Sequence, residues 1–237
     1  MITSLTTPMR TALLLAAATL TIASQRLHAQ TTIGASLTTS VGPVGRDPLA
    51  FQSFGQSFTV PSLAPRLQSF SLSLTNFSNG GALRFDAYLY AFDAASRRLT
   101  GNALWSFANV AGSSNDFAFD SRAFVTGDLL LSPGATYLFL LTTSRQGSIP
   151  LDAANIVGAN DTDAYTGGGF YAASNGGDFD ALRAANAFAS VDGITDAAFS
   201  AVFLSSQVVP EPATLWLTGA GLLAVTGVIR RRTAGRS

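Results

Sequence analysis

Apolar and polar side chains alternate with a period of two residues through the middle of the chain. The clearest runs are residues 54–60, 67–74, 84–90, 137–143 and 199–204. In the third run Phe85, Ala87 and Leu89 lie on one face, and Tyr88 and Tyr90 lie on the other. The fourth run is apolar on both faces, as expected of a central strand. Short runs with this pattern are typical of β-strands, so each is predicted to be a strand.

Clusters of Gly, Asn, Pro and Ser separate these runs. They lie at residues 79–81, 100–102, 132–134 and 175–177 and are predicted to be turns. Residues 180–189 are the best candidate for a helix, although the segment also fits a strand with its turn. Many short strands and little helix predict an all-β, antiparallel, jelly-roll-like β-sandwich over residues 30–207, which we call the passenger domain.

The first 29 residues have the pattern of a secretory signal peptide. Arg10 precedes an apolar run over residues 11–23, and polar and small residues follow up to Ala29. This run of 13 residues is too short to cross a bilayer, but it suits the hydrophobic region of a signal peptide. We predict a signal helix within residues 1–29 and cleavage after Ala29. The alternative is a buried N-terminal helix of a cytosolic domain.

A second apolar stretch follows the passenger domain. Residues 213–229 form a run of 17 residues, which as a helix would be roughly 25 Å long, at the short limit for a transmembrane helix. Pro210 and Pro212 keep the preceding segment extended and outside the helix. A basic tail over residues 230–237 favours the cytoplasmic side of the membrane. The tail begins with the cluster Arg230, Arg231 and Arg232.

The segment over residues 208–237 resembles the PEP-CTERM sorting signal, because a Pro-Glu-Pro stem, an apolar helix and a basic cluster occur in that order. Val209, Pro210, Glu211 and Pro212 match its core motif unchanged. The resemblance implies export by the secretion machinery, with a transient inner-membrane stage in which the passenger domain lies outside. It also implies processing by an exosortase-like enzyme and a final place at the cell surface or in the extracellular matrix. The alternative is a plain C-terminal anchor with an incidental proline-rich stem.

Several short motifs of the passenger domain are similar to those of jelly-roll passengers in this sorting class. They are Gln56-Ser57-Phe58, the pair Tyr88 and Tyr90, Leu99-Thr100-Gly101, residues 131–137 and the glycine-rich segment 167–171. This second resemblance bears on the fold and implies no particular ligand.

The composition removes most catalytic chemistry from the passenger domain. The chain has no Lys and no Cys, and its single His is His28, inside the predicted signal peptide. Ser-His-Asp triads, Ser-Lys dyads, thiolate nucleophiles and His or Cys zinc sites are therefore excluded. Between the two predicted targeting segments lie eight arginines and thirteen aspartates, a net charge of −5. This acidic balance is unsuited to phosphate contacts, so no nucleic-acid partner is predicted.

Two loop segments rich in oxygen ligands are weak candidates for calcium sites. They contain Asp161 and Asp163, and Asp178 and Asp180. Neither segment has the ligand spacing of a calcium-binding loop, and no Glu precedes the sorting tail. The alternative is that these side chains cap turns by bonding to nearby backbone groups.

Five aromatic side chains could form a sugar-stacking surface. They are Tyr88, Tyr90, Trp105, Tyr165 and Tyr171. The alternative is that they pack in the core or across strands, as aromatic residues at alternating strand positions commonly do.

Taken together, the sequence predicts a non-enzymatic, exported surface or matrix protein with a structural or adhesive role linked to exopolysaccharide. Two alternatives stay open: a carbohydrate-binding module, and a calcium-assisted glycoside hydrolase that acts through paired aspartates. No cofactor is predicted apart from the calcium considered above.

Overall fold

The structure is a computed structural model that describes residues 27–44, 51–76, 83–115, 118–146 and 155–209. Residues Gln30–Ser206 form one compact unit, and residues 1–29 with 207–237 are grouped in another. The predicted signal helix and the predicted transmembrane helix over 213–229 lie outside the described residues. Within the described ranges, no helix is long and apolar enough to cross a membrane.

Thirteen strands and one short 3₁₀ turn are present in the described part of the chain. The strands are β1 Leu27–Ala35, β2 Thr39–Val44, β3 Ser53–Thr59, β4 Arg66–Asn76, β5 Arg84–Asp93, β6 Arg98–Ala111, β7 Asp120–Leu130, β8 Thr136–Thr142, β9 Asn155–Asn160, β10 Phe170–Ala173, β11 Ala189–Ser190, β12 Asp196–Ala197 and β13 Phe199–Val209. The five segments predicted to be strands correspond to β3, β4, β5, β8 and β13.

These strands form two sheets. The seven-stranded sheet has the order β1-β13-β4-β9-β12, with β2 beside β9 and β7 beside β4. The six-stranded sheet has the order β11-β10-β3-β8-β5-β6. The strand pairs with a defined register are antiparallel. The prediction of an all-β antiparallel sandwich is confirmed.

The main core lies between the two sheets and is rich in phenylalanine. Phe70 of β4 stacks on Phe139 of β8 with ring centroids 4.3 Å apart, which joins one sheet to the other. Phe58 of β3 packs edge-on against Phe203 of β13 at 5.8 Å. All four side chains are fully buried. Since the chain has no Cys, packing of this kind has to supply the stability of the domain.

A second core covers the outer face of the six-stranded sheet. Tyr88 and Tyr90 of β5 point to this face, whereas Phe85 and Leu89 point into the main core, as the alternation predicts. The segment over residues 174–188, which we call the strap, crosses the outer face. It contributes the buried side chains Phe179, Leu182 and Phe188. The central strands of this sheet are therefore buried on both faces.

Residues 180–189, the best candidate for a helix, contain a 3₁₀ turn, Asp180–Arg183, within the strap, and Ala189 begins β11. This is nearer to the alternative of a strand with its turn. One predicted turn needs correction. The turn predicted at 100–102 lies inside β6. Gly101, with φ of 65°, belongs to an irregularity of this strand and does not reverse the chain. The chain reverses instead at residues 94–97, where Asp93 Oδ1 accepts the backbone N–H of Ala95 at 3.1 Å. Hydrogen bonds from Ser96 lower the pKa of Asp93.

Candidate functional site

A buried polar cluster joins the two sheets near β3 and β12. Gln56 lies between Phe54 and Phe58 on the inward face of β3, and its Nε2 donates to Asp196 Oδ1 at 2.8 Å. Its Oε1 accepts the backbone N–H of Ala197 at 2.7 Å. Both side chains are buried. Gln56 therefore links strands that are 140 positions apart in the sequence.

Asp196 is a carboxylate enclosed by protein donors. Its Oδ2 accepts the backbone N–H of Tyr165 at 3.1 Å, and its Oδ1 accepts a hydrogen bond from Gln56 Nε2. Burial raises the pKa of Asp196, with a further contribution from the charge of Asp163, while the two hydrogen bonds oppose the shift. Asp196 has no exposed surface, so its carboxyl group fits a structural role better than contact with a saccharide.

The Gln-Ser-Phe motif thus has a structural explanation residue by residue. Gln56 bonds across the sandwich, and Phe58 packs in the main core. Between them, Ser57 Oγ accepts the backbone N–H of Gly169 at 2.9 Å, so the glycine-rich segment runs beside β3. A Cβ placed on Gly168 would lie only 1.9 Å from the carbonyl oxygen of Ser57, which explains why glycine is required at this close approach. The sequence motif includes Gln56 but did not predict that its side chain is buried and joins the sheets, although a polar residue at an inward position of an alternating strand was a usable signal.

The first pair of calcium candidates lies at the end of β9. Asp161 Oδ1 accepts the hydroxyl of Thr38 at 3.1 Å. Asp163 has a positive φ of 47°, and its backbone N–H donates to Thr195 Oγ1 at 2.8 Å. These contacts hold the loop to its neighbours.

The second pair lies in the strap, where Asp178 serves as a cap. Asp178 Oδ1 accepts the backbone N–H of Asp180 at 3.0 Å and that of Ala181 at 3.2 Å, at the start of the 3₁₀ turn. This is the turn-capping role considered as the alternative. Within the described residues, no three His, Cys, Asp or Glu side chains are grouped so that they could hold a metal ion.

All five candidate sugar-stacking aromatics are packed against or within one of the two cores. Tyr88 and Tyr90 are buried under Phe179, and Tyr171 contacts Phe92 with ring centroids 4.9 Å apart. Tyr165 packs edge-on against Phe199 at 5.3 Å. Tyr88 and Tyr90 therefore follow the alternative of packing in a core, because the strap covers them, whereas Tyr165 and Tyr171 are half-buried.

Trp105 differs from the other four in having an exposed aromatic neighbour. One side of its ring contacts Phe124 and Phe139 of the main core at 6.3 and 5.8 Å. Along β6 it lies nearly parallel to Phe107, with 11° between the ring planes. Phe107 is 58% exposed and Leu104 is 46% exposed. We call Leu104, Trp105 and Phe107 the edge patch.

The sorting residues lie at and beyond the last described strand. Val209 is the final residue of β13. Pro210, Glu211 and Pro212, and the cluster Arg230, Arg231 and Arg232, lie outside the described residues. The predicted cleavage site stays a prediction, and Ala29 lies within β1.

Comparison with solved structures gives distant likenesses. The chain is similar to the cysteine protease and lectin-like domains of Cwp84, a surface layer associated protein of Clostridium difficile, with 12% identity and a TM-score of 0.43 over 75% of this chain. It spans 36% of that chain, about a third of its length. It is also similar to a protein of the T13 particle of the virus IBDV, with 15% identity and a TM-score of 0.31, covering 81% of this chain and 41% of the other. At these scores we infer no functional relationship from the likenesses. No curated protein matches the sequence.

One motif does match. The PEP-CTERM protein-sorting motif matches residues 208–232, which include the stem and the basic cluster predicted from the sequence. The motif implies an exported protein that passes through a membrane-anchored sorting intermediate and is processed by exosortase-like machinery. This chain therefore carries a PEP-CTERM sorting motif, preceded by a β-rich passenger domain.

Proposed function

We propose that this chain is a non-enzymatic protein of the cell surface or extracellular matrix, with a structural or adhesive role linked to exopolysaccharide. The observation that carries the proposal is the sorting motif on a domain that has no Lys, no Cys and no His beyond the signal-peptide boundary. A domain of this composition offers backbone, hydroxyl, amide and aromatic contacts, which suit adhesion and assembly more than group transfer.

The placement of the polar residues supports the same role. The buried carboxylate of Asp196 is bonded to Gln56 and to the backbone of Tyr165, and Asp178 caps a turn. Glycoside hydrolysis requires two carboxyl groups that flank a sugar and can exchange protons with it. The hydrogen bonds of these aspartates are instead used to hold the sandwich and its strap together.

A direct assay separates this proposal from the hydrolase alternative. The exported protein would be incubated with exopolysaccharide from the producing cells, with and without calcium, and the release of new reducing ends would be measured. We expect no release above that of a heat-inactivated sample. We also expect a melting temperature that does not change with calcium. Reducing ends that accumulate in proportion to intact protein would overturn the proposal.

A glycan array on the same exported protein addresses the carbohydrate-binding alternative. The edge patch is the place to look, because Trp105 and Phe107 are neighbouring aromatic rings that are not fully covered. Selective binding that is lost in Phe107→Ala but kept in Val125→Ala, at an apolar position of β7 that is 75% exposed, would replace the structural role by specific sugar recognition.

The role itself is testable in cells. Removing the chain from the producing strain is expected to weaken the cohesion of the extracellular matrix, measured as material released by shear. Full-length protein should restore cohesion, whereas protein with the stem residues Pro210, Glu211 and Pro212 changed to alanine should not. Equal cohesion with and without the chain would contradict a structural role.

A further inference from the structure

Among the described residues, strand β6 is a long edge of the six-stranded sheet with no strand paired to its outer side. It runs over 14 residues and pairs with β5 on one side, and it ends the strand order of its sheet. An edge strand presents unpaired backbone N–H and C=O groups at alternate residues. Natural proteins commonly protect such edges with charged side chains, prolines or a covering segment.

Beyond its first residue, Arg98, the sequence of β6 lacks the charged residues and prolines that protect many edges. From residue 99 to residue 111 it has no charged residue and no proline. The contrast is with β7, an edge strand of the other sheet, which has Asp120, Arg122 and Asp128 along its length. Asp128 is further held by Arg66 in a bidentate ion pair, with Arg66 Nη2 at 2.7 Å from Asp128 Oδ2. One edge is therefore charged, and the other is left neutral and partly apolar.

Two arginines mark the limits of the open part of β6. Arg183 Nη1 donates to the carbonyl oxygen of Gly101 at 2.6 Å, and Arg84 Nη1 donates to that of Asn109 at 3.0 Å. Gly101 and Asn109 also have positive φ values of 65° and 60°. Each lies in one of the two irregularities of β6 against β5, and between these irregularities Trp105, Ser106 and Phe107 pair regularly with β5. Residues 102–108 form the open window, with the sequence Asn-Ala-Leu-Trp-Ser-Phe-Ala. A neutral stretch of this length without Pro or Gly is typical of segments that pair with another strand.

We propose that the window of β6 pairs antiparallel with the same window of a second copy of this chain, about a two-fold axis at Ser106. In this register Trp105 of each copy lies opposite Phe107 of the other, and Leu104 lies opposite Ala108. Aromatic side chains at directly opposed positions stabilise antiparallel pairs. The pairing covers Phe107, whose 58% exposure is otherwise unexplained on an inward-facing strand position. A two-fold axis makes the interface self-complementary, so one sequence supplies both sides.

Two features favour a second copy of this chain over another partner. They are the self-complementary register and the shared location of the copies on one membrane. The sorting motif implies that copies are held on the same membrane during processing. Confinement to one surface raises their effective concentration and favours a weak edge-to-edge contact. The inference goes beyond the proposed function, since a protein could stay on the surface as a monomer.

The absence of cysteine makes a sharp test possible. Ser106→Cys in the full exported chain places one thiol per copy at the proposed axis, where it would face its counterpart. Facing residues of antiparallel strands have Cα atoms about 4.5–5.5 Å apart, within the range that a disulfide requires. After mild oxidation of intact cells, we expect a reducible homodimer on a non-reducing gel, several-fold more abundant than for the control. The control is Ser121→Cys, the same substitution at an exposed position of edge strand β7.

A second pair of variants distinguishes strand pairing from chance collision. In the Ser106→Cys background, Phe107→Asp places a charge on the edge and removes both aromatic pairs, so the dimer should fall to the level of the control. Val125→Asp places the same charge at an exposed position of β7 and should leave the dimer unchanged. Dimer from Ser106→Cys no greater than from Ser121→Cys, equal loss with both aspartates, or linkage to a different protein would each overturn the proposal. These outcomes do not depend on whether the chain hydrolyses or binds a saccharide.

Discussion

At the scale of single residues, a buried polar side chain joins the two sheets. Gln56 makes three hydrogen bonds from a fully buried position: to Asp196, from the backbone of Ala197, and to the carbonyl oxygen of Ser57. Its two ends reach groups that have no access to water. Removing it would leave the Asp196 carboxylate and the Ala197 N–H buried with fewer partners, and buried unpaired groups are costly.

Gln56→Ala is therefore expected to lower the free energy of unfolding by about 2–5 kcal/mol, since it leaves more than one buried group unsatisfied. Urea denaturation of the exported protein measures the change. Gln68→Ala is the matched control, because Gln68 is an exposed glutamine on the neighbouring sheet, and its effect should stay within about 0.5 kcal/mol. Equal losses for the two variants would contradict the role given to Gln56.

Asp196 adds a pH dependence whose sign follows from its environment. Burial raises its pKa in the folded domain above the usual value of 3.8, so the folded state keeps this proton to higher pH than the unfolded chain does. The contribution of Asp196 to stability is fully present below 3.8 and is lost as the pH rises through the raised pKa.

Asp196→Asn removes this titration. The difference in unfolding free energy, wild type minus variant, should decrease as the pH rises through that window and should be flat at higher pH. Urea curves collected from about pH 3 to pH 8 test this, because the titrations of other groups cancel in the difference. A difference that increases with pH would show that the charged carboxylate is the stabilised form.

At the scale of elements, the strap explains why a six-stranded sheet can be apolar on both faces. Leu138 and Leu140 of β8 and the tyrosines of β5 would be exposed without it. Arg145 lies over the ring of Phe179, 4.1 Å from its centroid, and so closes the strap from the solvent side. The strap contributes its apolar side chains from loop and 3₁₀ turn, which have no hydrophobic period of their own.

Leu182→Ala should lower the unfolding free energy by about 2–5 kcal/mol, because Leu182 is fully buried in the second core and the variant leaves a cavity. Chemical denaturation gives the value. Leu63→Ala is the control: Leu63 is 82% exposed, so its loss should have little effect. A small effect of Leu182→Ala would mean that the strap is not closely packed on the sheet in solution.

The strands with clear alternation were predictable as elements. Residues 54–60 and 67–74 correspond to Ser53–Thr59 and Arg66–Asn76, because one face of each strand is buried and the pattern records it. Strand β6 was missed over most of its length. It lies at an edge, so most of its side chains are exposed and impose no alternation, and Gly101 resembles a turn residue. Edge strands are hard to predict for this reason.

At the scale of the whole molecule, the sorting motif follows the passenger domain along the chain. The motif covers residues 208–232, and its first two residues are the last two of β13. Changing Pro210, Glu211 and Pro212 to alanine should leave full-length protein in the inner membrane, detected by fractionation and by chain length on a gel. Alanine at Ser206 and Gln207, just before the motif, should leave processing intact. Unchanged surface display of the triple variant would contradict processing at this stem.

The sequence by itself determined the strand positions with a buried face, the all-β class, the lack of Lys and Cys and the sorting motif. These depend on local period, composition and short linear order, which need no knowledge of distant contacts. Only the tertiary structure decided which aromatic rings are covered, that Gln56 and Asp196 meet from positions 140 apart, and which edge of the sandwich is left neutral. Burial and hydrogen-bond partners depend on segments brought together by folding, and the jelly-roll-like connection order stays a prediction. The exposure of Phe107 could be read only from the structure for the same reason, because exposure depends on how the sheets pack.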